Sequence, residues 1–318
     1  MEFFHGTNID FLGKRKIFFI MSLILCTVGI LIAVIFPPQL GIDFTGGTEV
    51  GVSFNRTVST EDIRVAIDKT ELRGGEIKSF GNDNQYLIRV REAGDAPAQI
   101  TGALSDAFPD ANPTIIKVDR VGPKIGAELT RQAIMAVIFS VLAILIYIAF
   151  RFEFIFGLGA IVALIHDVIF AFAAVVVAQK LGMNITLDQS IMAAMLTVIG
   201  FSINDTVIIF DRIRENKELH KGMNLMQIMN LSINETLSRT INTVLTVVLV
   251  LFTMVLLGGE VLRGFSFTML IGIITGAYSS IYIASAFVIW YMQSVKKVPV
   301  ESEAERKQAA SKVRPVKA

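Results

Sequence analysis

The chain has 318 residues, of which 53% are hydrophobic and 18% charged, and its mean hydropathy is +0.61. Soluble globular proteins carry about 25% charged residues, so this composition excludes an ordinary soluble enzyme. The formal net charge of +1 gives no sign of a nucleic-acid partner. Because there is a single cysteine, an intramolecular disulfide is also excluded.

The apolar residues are concentrated in runs that are long enough to cross a bilayer, which takes about 20 residues. The first run follows a basic segment, but its apolar core is longer than the ~7–15 residues of a signal peptide. No small-residue cleavage site follows, which favours an uncleaved anchor. We predict six transmembrane helices, at residues 17–36, 132–150, 154–178, 188–210, 236–257 and 265–291.

Basic residues lie on one side of this predicted arrangement, and by the positive-inside rule both termini are cytoplasmic. Residues 1–36 then form a cytoplasmic N-terminus with the first helix, and 132–292 form the other five helices. Residues 293–318 are charged and poor in apolar residues, so we predict a disordered cytoplasmic tail. The basic residues that set this orientation are Lys14, Arg15, Lys16, Arg151, Arg212, Arg214, Lys217, Lys221, Lys296 and Lys297.

Residues 37–131 differ in composition and are predicted to fold outside the membrane. Strand patterns at 48–54, 75–80, 85–91 and 113–121 alternate with helical patterns at 59–70 and 98–108, with Ser59 as an N-cap. The order β-α-β-β-α-β is that of a ferredoxin-like α+β domain. Arg89 and Arg91 share one strand face, which is usually solvated and occasionally clamps a ligand. The segment has no His or Cys, so we interpret it as a docking module and not an enzyme.

The segment GFSINDTVIIFDRIRE, residues 200–215, places Asn204 and Asp205 in the apolar part of the fourth predicted helix. Asp205 precedes Asp211 by six residues, so it lies roughly 9 Å inside the membrane. A charge at mid-bilayer costs on the order of 2.5–3.5 kcal/mol and needs a partner. Two interpretations stay open. The pair locks helix packing, or Asp205 relays a proton or cation, since low dielectric favours the protonated acid.

Two further places carry charge inside apolar segments. His166 and Asp167 lie near the centre of the third helix, and because successive residues point about 100° apart, we expect that they do not both line one pathway. Glu235 and Arg239 are spaced i,i+4 where the fifth helix begins. Arg239 either extends to the headgroups or is the counter-charge of Asp205, whose protonation then releases the pair.

No G-x-x-x-x-G-K-[ST] motif and no metal-spaced Cys/His set occurs, so the sequence predicts no nucleotide site, metal or other cofactor. A machine of this kind needs an ion gradient, in which one charge crossing 100 mV is worth ~2.3 kcal/mol. The segment GIITG, residues 272–276, predicts a close-packing face on the sixth helix.

Three motifs resemble those of the bacterial SecD/SecF family. GIDFTGGTEV (41–50) is similar to the family signature that opens its periplasmic domain, and GFSINDTVIIFDRIRE to its fourth-helix signature. GFSFTMLIGIITGAYSSIYIASAFV (264–288) resembles its sixth helix. The resemblance covers essentially the whole chain, in the family's order.

The resemblance implies a resistance–nodulation–division type of fold in the bacterial inner membrane. It implies an accessory subunit of the SecYEG protein-export channel that, with SecD, uses the proton-motive force to move unfolded preproteins. It assigns proton coupling to Asp205 with Asn204 and Arg239, to which we add Asp167 as a candidate. A junction between membrane and external domain is implied at Gly41, Asp43, Gly46 and Gly47. The length fits one half of a twelve-helix pair, so SecD comes from another chain.

Two alternatives remain at this point. The first is an ion-independent structural subunit that stabilises a translocon assembly, in which Asp205 only packs. The second is a half-size small-molecule exporter of the same superfamily, which the very short second external loop disfavours.

Overall fold

A computed structural model describes residues 7–91 and 94–297 of the chain. A single 3-10 turn, Leu12–Lys14, leads into the long helix α1 (Arg15–Ile35). After α1 the chain forms the one-turn helix α2 (Ile42–Thr45) and then enters a small domain built around one sheet.

This sheet domain, residues 47–121, has the predicted order of strands and helices. Its four antiparallel strands lie in the order β2 (Glu76–Phe80), β3 (Asn82–Val90), β1 (Gly47–Ser53) and β4 (Thr114–Val121), the split arrangement of a ferredoxin-like domain. The Ser59 hydroxyl caps the first helix by accepting from the backbone N–H of Glu61, as predicted. The elements are β1 (Gly47–Ser53), α3 (Thr60–Ile67), β2 (Glu76–Phe80), β3 (Asn82–Val90), α4 (Ala96–Ala107) and β4 (Thr114–Val121).

The rest of the described chain is a helical bundle, α5 (Pro123–Arg151), α6 (Phe154–Lys180), α7 (Gln189–Leu219), α8 (Leu225–Leu257), α9 (Gly259–Ser279) and α10 (Ser285–Ser294). A π-helical segment, Ser280–Ala284, joins α9 to α10 into one span. In the described residues, six helices are therefore long and apolar enough to cross a membrane, which confirms the predicted number.

Several boundaries differ from the predicted ones. Helix α5 begins at Pro123 instead of residue 132, and α8 begins at Leu225 instead of residue 236. Both helices continue through polar residues that hydropathy does not mark. Helix α10 reaches Ser294, two residues beyond the predicted end of the helical part at residue 292. From residue 298 onward the predicted tail lies outside the described residues.

Helices α6, α7 and α9 form the centre of the bundle, and α1, α5 and α8 lie around it. Glycines let α9 approach α7 closely. A Cβ added to Gly272 would lie 2.2 Å from the Val198 Cγ2, and one added to Gly276 would lie 3.2 Å from the Ser202 Cβ. The predicted close-packing face is therefore confirmed, and it brings the polar residues of α7 and α9 within hydrogen-bond distance.

Candidate functional site

Asp205 is buried inside the bundle although it lies on a membrane-length helix. It is 7% exposed, whereas the preceding residue, Asn204, lies on the surface of α7. The opposite charge that acts on the carboxylate is the guanidinium of Arg239 on α8. Within the described part of the chain, however, the two groups do not close into a hydrogen-bonded ion pair. Asp205 therefore lies near an opposite charge but forms no direct ion pair with it.

Arg239 lies on an exposed polar face that runs along α7 and α8. Polar side chains on such a face are costly against lipid, so they need a protein partner or water. Asn204 lies on this face directly before the buried Asp205, which places the candidate site next to the face. Its exposed members are Thr197, Gly200 and Asn204 on α7, with Arg239, Asn242, Thr243 and Thr246 on α8.

Asp167 lies at the centre of a second polar cluster, which is fully buried. Its Oδ2 accepts hydrogen bonds from the hydroxyls of Ser202 on α7, at 2.5 Å, and Ser279 on α9, at 2.7 Å. Its Oδ1 lies 2.9 Å from the Nδ1 of His166, so the 100° between successive residues does not keep these side chains apart. At 1% exposure the carboxylate has a partner on both oxygens.

The cluster continues from His166 to α1. The Nε2 of His166 lies 3.0 Å from the hydroxyl of Ser22, which donates to the Tyr278 hydroxyl at 3.1 Å. Tyr278 in turn donates to the backbone carbonyl of Phe18. One hydrogen-bonded cluster therefore joins α1, α6, α7 and α9. Ser202 lies one helical turn before Asp205, so this cluster fixes the part of α7 that carries the candidate site.

Sequence reasoning missed the hydroxyl groups of this cluster. Ser202 and Ser279 are short polar residues within apolar helices, where such side chains commonly bond to their own backbone. The signal in the sequence was the small-residue segment 272–276, which ends one helical turn before Ser279. That signal indicates close packing, but it does not say which carboxylate the hydroxyls meet.

The predicted junction motif lies where the sheet domain meets the bundle. The backbone N–H of Gly41 donates to the Leu187 carbonyl at 2.7 Å, and Leu187 donates back to the Gln39 carbonyl at 2.8 Å. The Asp43 carboxylate accepts from the backbone N–H of Gln189 at 3.0 Å. The motif is therefore bonded to the loop before α7 and to the first residue of α7 itself.

Gly46 and Gly47 form the turn from α2 into β1. Their φ angles are +71° and +126°, values that side chains rarely adopt. A Cβ on Gly47 would also lie 2.4 Å from the Val90 carbonyl oxygen. Both positions therefore require glycine for this turn.

Arg89 is a partly buried structural residue and not the solvated residue that its strand position suggests. Its guanidinium pairs with Glu49 at 2.7 Å and with Glu76 at 3.0 Å, and it donates to the Leu40 carbonyl. The side chain is 12% exposed. These bonds tie the open face of the sheet to the chain that leaves α1.

Six membrane-length helices, joined to a ferredoxin-like sheet domain, define a multi-pass membrane protein with an inserted α+β domain. Residues 101–294 match the family described as protein export membrane protein SecD/SecF, C-terminal, and residues 32–58 match the SecD/SecF GG motif. The chain belongs to the SecD/SecF family of protein-export membrane proteins.

Similar relatives carry the name protein translocase subunit SecF. One, from Calditerrivibrio nitroreducens, is 40% identical over 300 residues, which cover 92% of this chain and 97% of the relative. Another, from Rhodothermus marinus, is 40% identical over 293 residues, which cover 91% of this chain and 95% of the relative.

Two solved structures share the fold. The crystal structure of SecDF, a translocon-associated membrane protein from Thermus thermophilus, matches with a TM-score of 0.82 and 32% identity over 91% of this chain. SecDF in the super-membrane-facing form matches with a TM-score of 0.68 and 31% identity over 97% of this chain. The chain spans 39% and 40% of those two chains. The likeness confirms the resistance–nodulation–division type of fold.

Proposed function

We propose that this chain is an accessory subunit of the Sec export machinery that, with SecD, couples the proton-motive force to late-stage translocation of preproteins. Its place is the bacterial inner membrane, with both termini in the cytoplasm and the sheet domain in the periplasm. The observation that carries the proposal is the geometry of Asp205, a buried carboxylate with an opposing charge, Arg239, but no closed ion pair.

An acid in this position can change its charge and thereby change the attraction between two helices. Ionised Asp205 attracts Arg239 and draws α7 toward α8, whereas protonated Asp205 does not. A proton that enters from one side and leaves on the other therefore shifts the two helices between two arrangements. Asn204 lies beside the acid on the exposed face, and Asp167 holds α7 in place through Ser202.

A shift of helix α7 can be transmitted to the sheet domain. Helix α7 carries Asp205 in its middle and is bonded at its first residue to Asp43 of the junction motif. A shift of α7 therefore acts on the segment that leads directly into β1. We propose that the sheet domain moves in response and holds or pulls the emerging preprotein.

The exposed polar face of α7 and α8 supports SecD as the partner that completes the proton path. Groups such as Asn204 and Arg239 then lie at an interface between two half-bundles instead of against lipid. SecYEG supplies the channel through which the preprotein passes. The structural-subunit alternative needs the same interface but no titrating acid, so the charge of Asp205 separates the two.

The test is preprotein translocation into sealed inverted membrane vesicles, with and without a proton gradient, at equal assembly with SecD. We expect Asp205→Asn to remove the gradient-dependent part of translocation, because the amide has nearly the same size and shape but cannot exchange a proton. Asp211→Asn is the matched control, since Asp211 lies on the same helix, is 40% exposed and pairs with Arg151 at the surface. If Asp205→Asn exports as well as the control, the structural-subunit alternative replaces this proposal.

A further inference from the structure

Between helices α7 and α8, two pairs of oppositely charged side chains face each other at two depths in the bundle, here called the inner and the outer level. At the inner level Asp205 of α7 opposes Arg239 of α8. At the outer level, toward the α7–α8 loop, Arg212 of α7 opposes Glu235 of α8, with the Nε 2.6 Å from the Oε2. In the described residues, the inner pair forms no direct salt bridge, whereas the outer pair does. The two levels are also connected, because Glu235 and Arg239 are spaced i,i+4 on α8.

That spacing makes Glu235 a competitor for Arg239. Side chains at i and i+4 lie on one helix face, and a pair with Glu nearer the N-terminus and the cation nearer the C-terminus is the favoured orientation. Without other partners, Glu235 and Arg239 would therefore attract each other along α8. Such a pair would neutralise Arg239 and remove the counter-charge from Asp205.

In the structure, α7 holds Glu235 instead. Its Oε2 accepts from Arg212 at 2.6 Å and from the amide of Asn216 at 2.6 Å. Asn216 is fully buried, and it also donates to the Ser232 hydroxyl at 3.0 Å. Arg212 is fixed from its other side by Glu215 at 2.6 Å. In the described part of α8, the Arg239 guanidinium is left without an ion pair to Glu235.

We infer that Arg212 and Asn216 are positioning residues that hold the Glu235 carboxylate away from Arg239, so that Arg239 remains available to Asp205. This inference rests on the proposed function, in which Asp205 and Arg239 are the coupling pair. It differs from a staple role, in which the Arg212–Glu235 ion pair only fastens α7 to α8. The two roles make opposite predictions for removal of the Glu235 charge.

The experiment compares four variants in the same inverted-vesicle assay: Arg212→Gln, Glu235→Gln, the double variant and Asp205→Asn. For Arg212→Gln we expect the gradient-dependent increment to fall by roughly 1.4- to 2.3-fold, the factor by which an i,i+4 ion pair of about 0.2–0.5 kcal/mol shifts the equilibrium toward capture of Arg239. For Glu235→Gln we expect the increment to stay at the native level. The double variant should regain that level, because no carboxylate remains to capture Arg239.

A staple role predicts instead that Glu235→Gln loses as much as Arg212→Gln and that the double variant is no better, and either result overturns the inference. Native export by Arg212→Gln overturns it as well. If Arg212→Gln does not accumulate or does not copurify with SecD, Glu235→Gln alone decides between the two roles. The Asp205→Asn variant distinguishes failure of this inference from failure of the proposed function. If its gradient-dependent increment equals that of the native chain, the proposed function is refuted, and the inference with it.

Discussion

The Asp43 carboxylate accepts a hydrogen bond from the backbone N–H of Gln189 at a distance of 3.0 Å. This bond joins the junction motif, which leads into the sheet domain, to the first residue of the helix that carries Asp205. Because the first N–H groups of a helix have no partner within the helix, an outside carboxylate there satisfies a donor and complements the helix dipole. It makes α7 the mechanical connection between the candidate coupling site and the sheet domain.

Removal of this connection is expected to weaken the coupling more than it weakens the fold. Asp43→Ala leaves the Gln189 N–H without its acceptor and should cost about 1 kcal/mol of stability. Gradient-dependent export should fall, while export without a gradient should not change. Asp43→Asn restores an acceptor oxygen and should recover most of the loss. Equal export by the native chain and Asp43→Ala would contradict the role of this bond.

The turn at Gly47 should tolerate no side chain. Gly47→Ala forces a Cβ toward the Val90 carbonyl oxygen at a φ of +126°, and it should cost about 1–3 kcal/mol. Gly122→Ala is the matched control, because its φ is −67° and nothing lies within 4 Å of an added Cβ. Thermal melting of the purified protein should separate the two variants. A Gly47→Ala protein as stable as the control would show that the turn has another conformation.

Asp188, the N-cap of α7, should make stability depend on pH. Burial, with a contribution from the nearby Asp43 charge, raises the pKa of Asp188 above its usual value of 3.8. The folded state therefore binds the Asp188 proton more tightly than the unfolded state does. The stability that the protonated carboxyl contributes is fully present below pH 3.8 and is lost as the pH rises through the raised pKa.

Asp188→Asn should remove this dependence, because Asn caps a helix as well as Asp does and carries no charge. The variant's melting temperature relative to the native protein should rise as pH increases from acidic to neutral. Asp106→Asn, at an exposed position on α4, controls for general charge effects. A constant difference across the pH range would contradict the buried-acid account of Asp188.

Asp167 should behave differently from Asp205 when its charge is removed. Asp167→Asn replaces an acceptor oxygen by a donor within a cluster whose hydroxyls both donate to Oδ2, and unsatisfied buried groups cost about 1–3 kcal/mol. We expect lower thermal stability and less accumulation in the membrane, with gradient dependence retained by the protein that assembles. Loss of gradient dependence at native stability would instead place Asp167 in the proton path.

The sequence predicted the elements of this fold because each depends on a local pattern. Apolar runs marked the six membrane-length helices, and strand alternation marked the four strands of the sheet domain. Boundaries were less predictable, since α8 extends through the polar residues after Leu225, whose helical state depends on tertiary packing. Hydropathy has no signal for that extension.

The candidate site was predictable as a set of residue types but not as a set of contacts. Asp205 and Arg239 were identified because charges in apolar helices are costly. The partners of Glu235 were not identified, because its i,i+4 spacing favoured Arg239 and the sequence does not reveal that Arg212 of another helix lies within 2.6 Å. The same reason hid the serines around Asp167. Contacts between helices depend on how the helices pack, which no local pattern contains.

The most direct test of the central claim is proton flux through the complex of this chain with SecD in sealed liposomes, followed with a trapped pH-sensitive dye after a pH gradient is imposed. The native complex should dissipate the gradient faster than empty liposomes, and Asp205→Asn should lose that flux while Asp211→Asn retains it. Equal flux through the native and Asp205→Asn complexes would contradict proton coupling at Asp205.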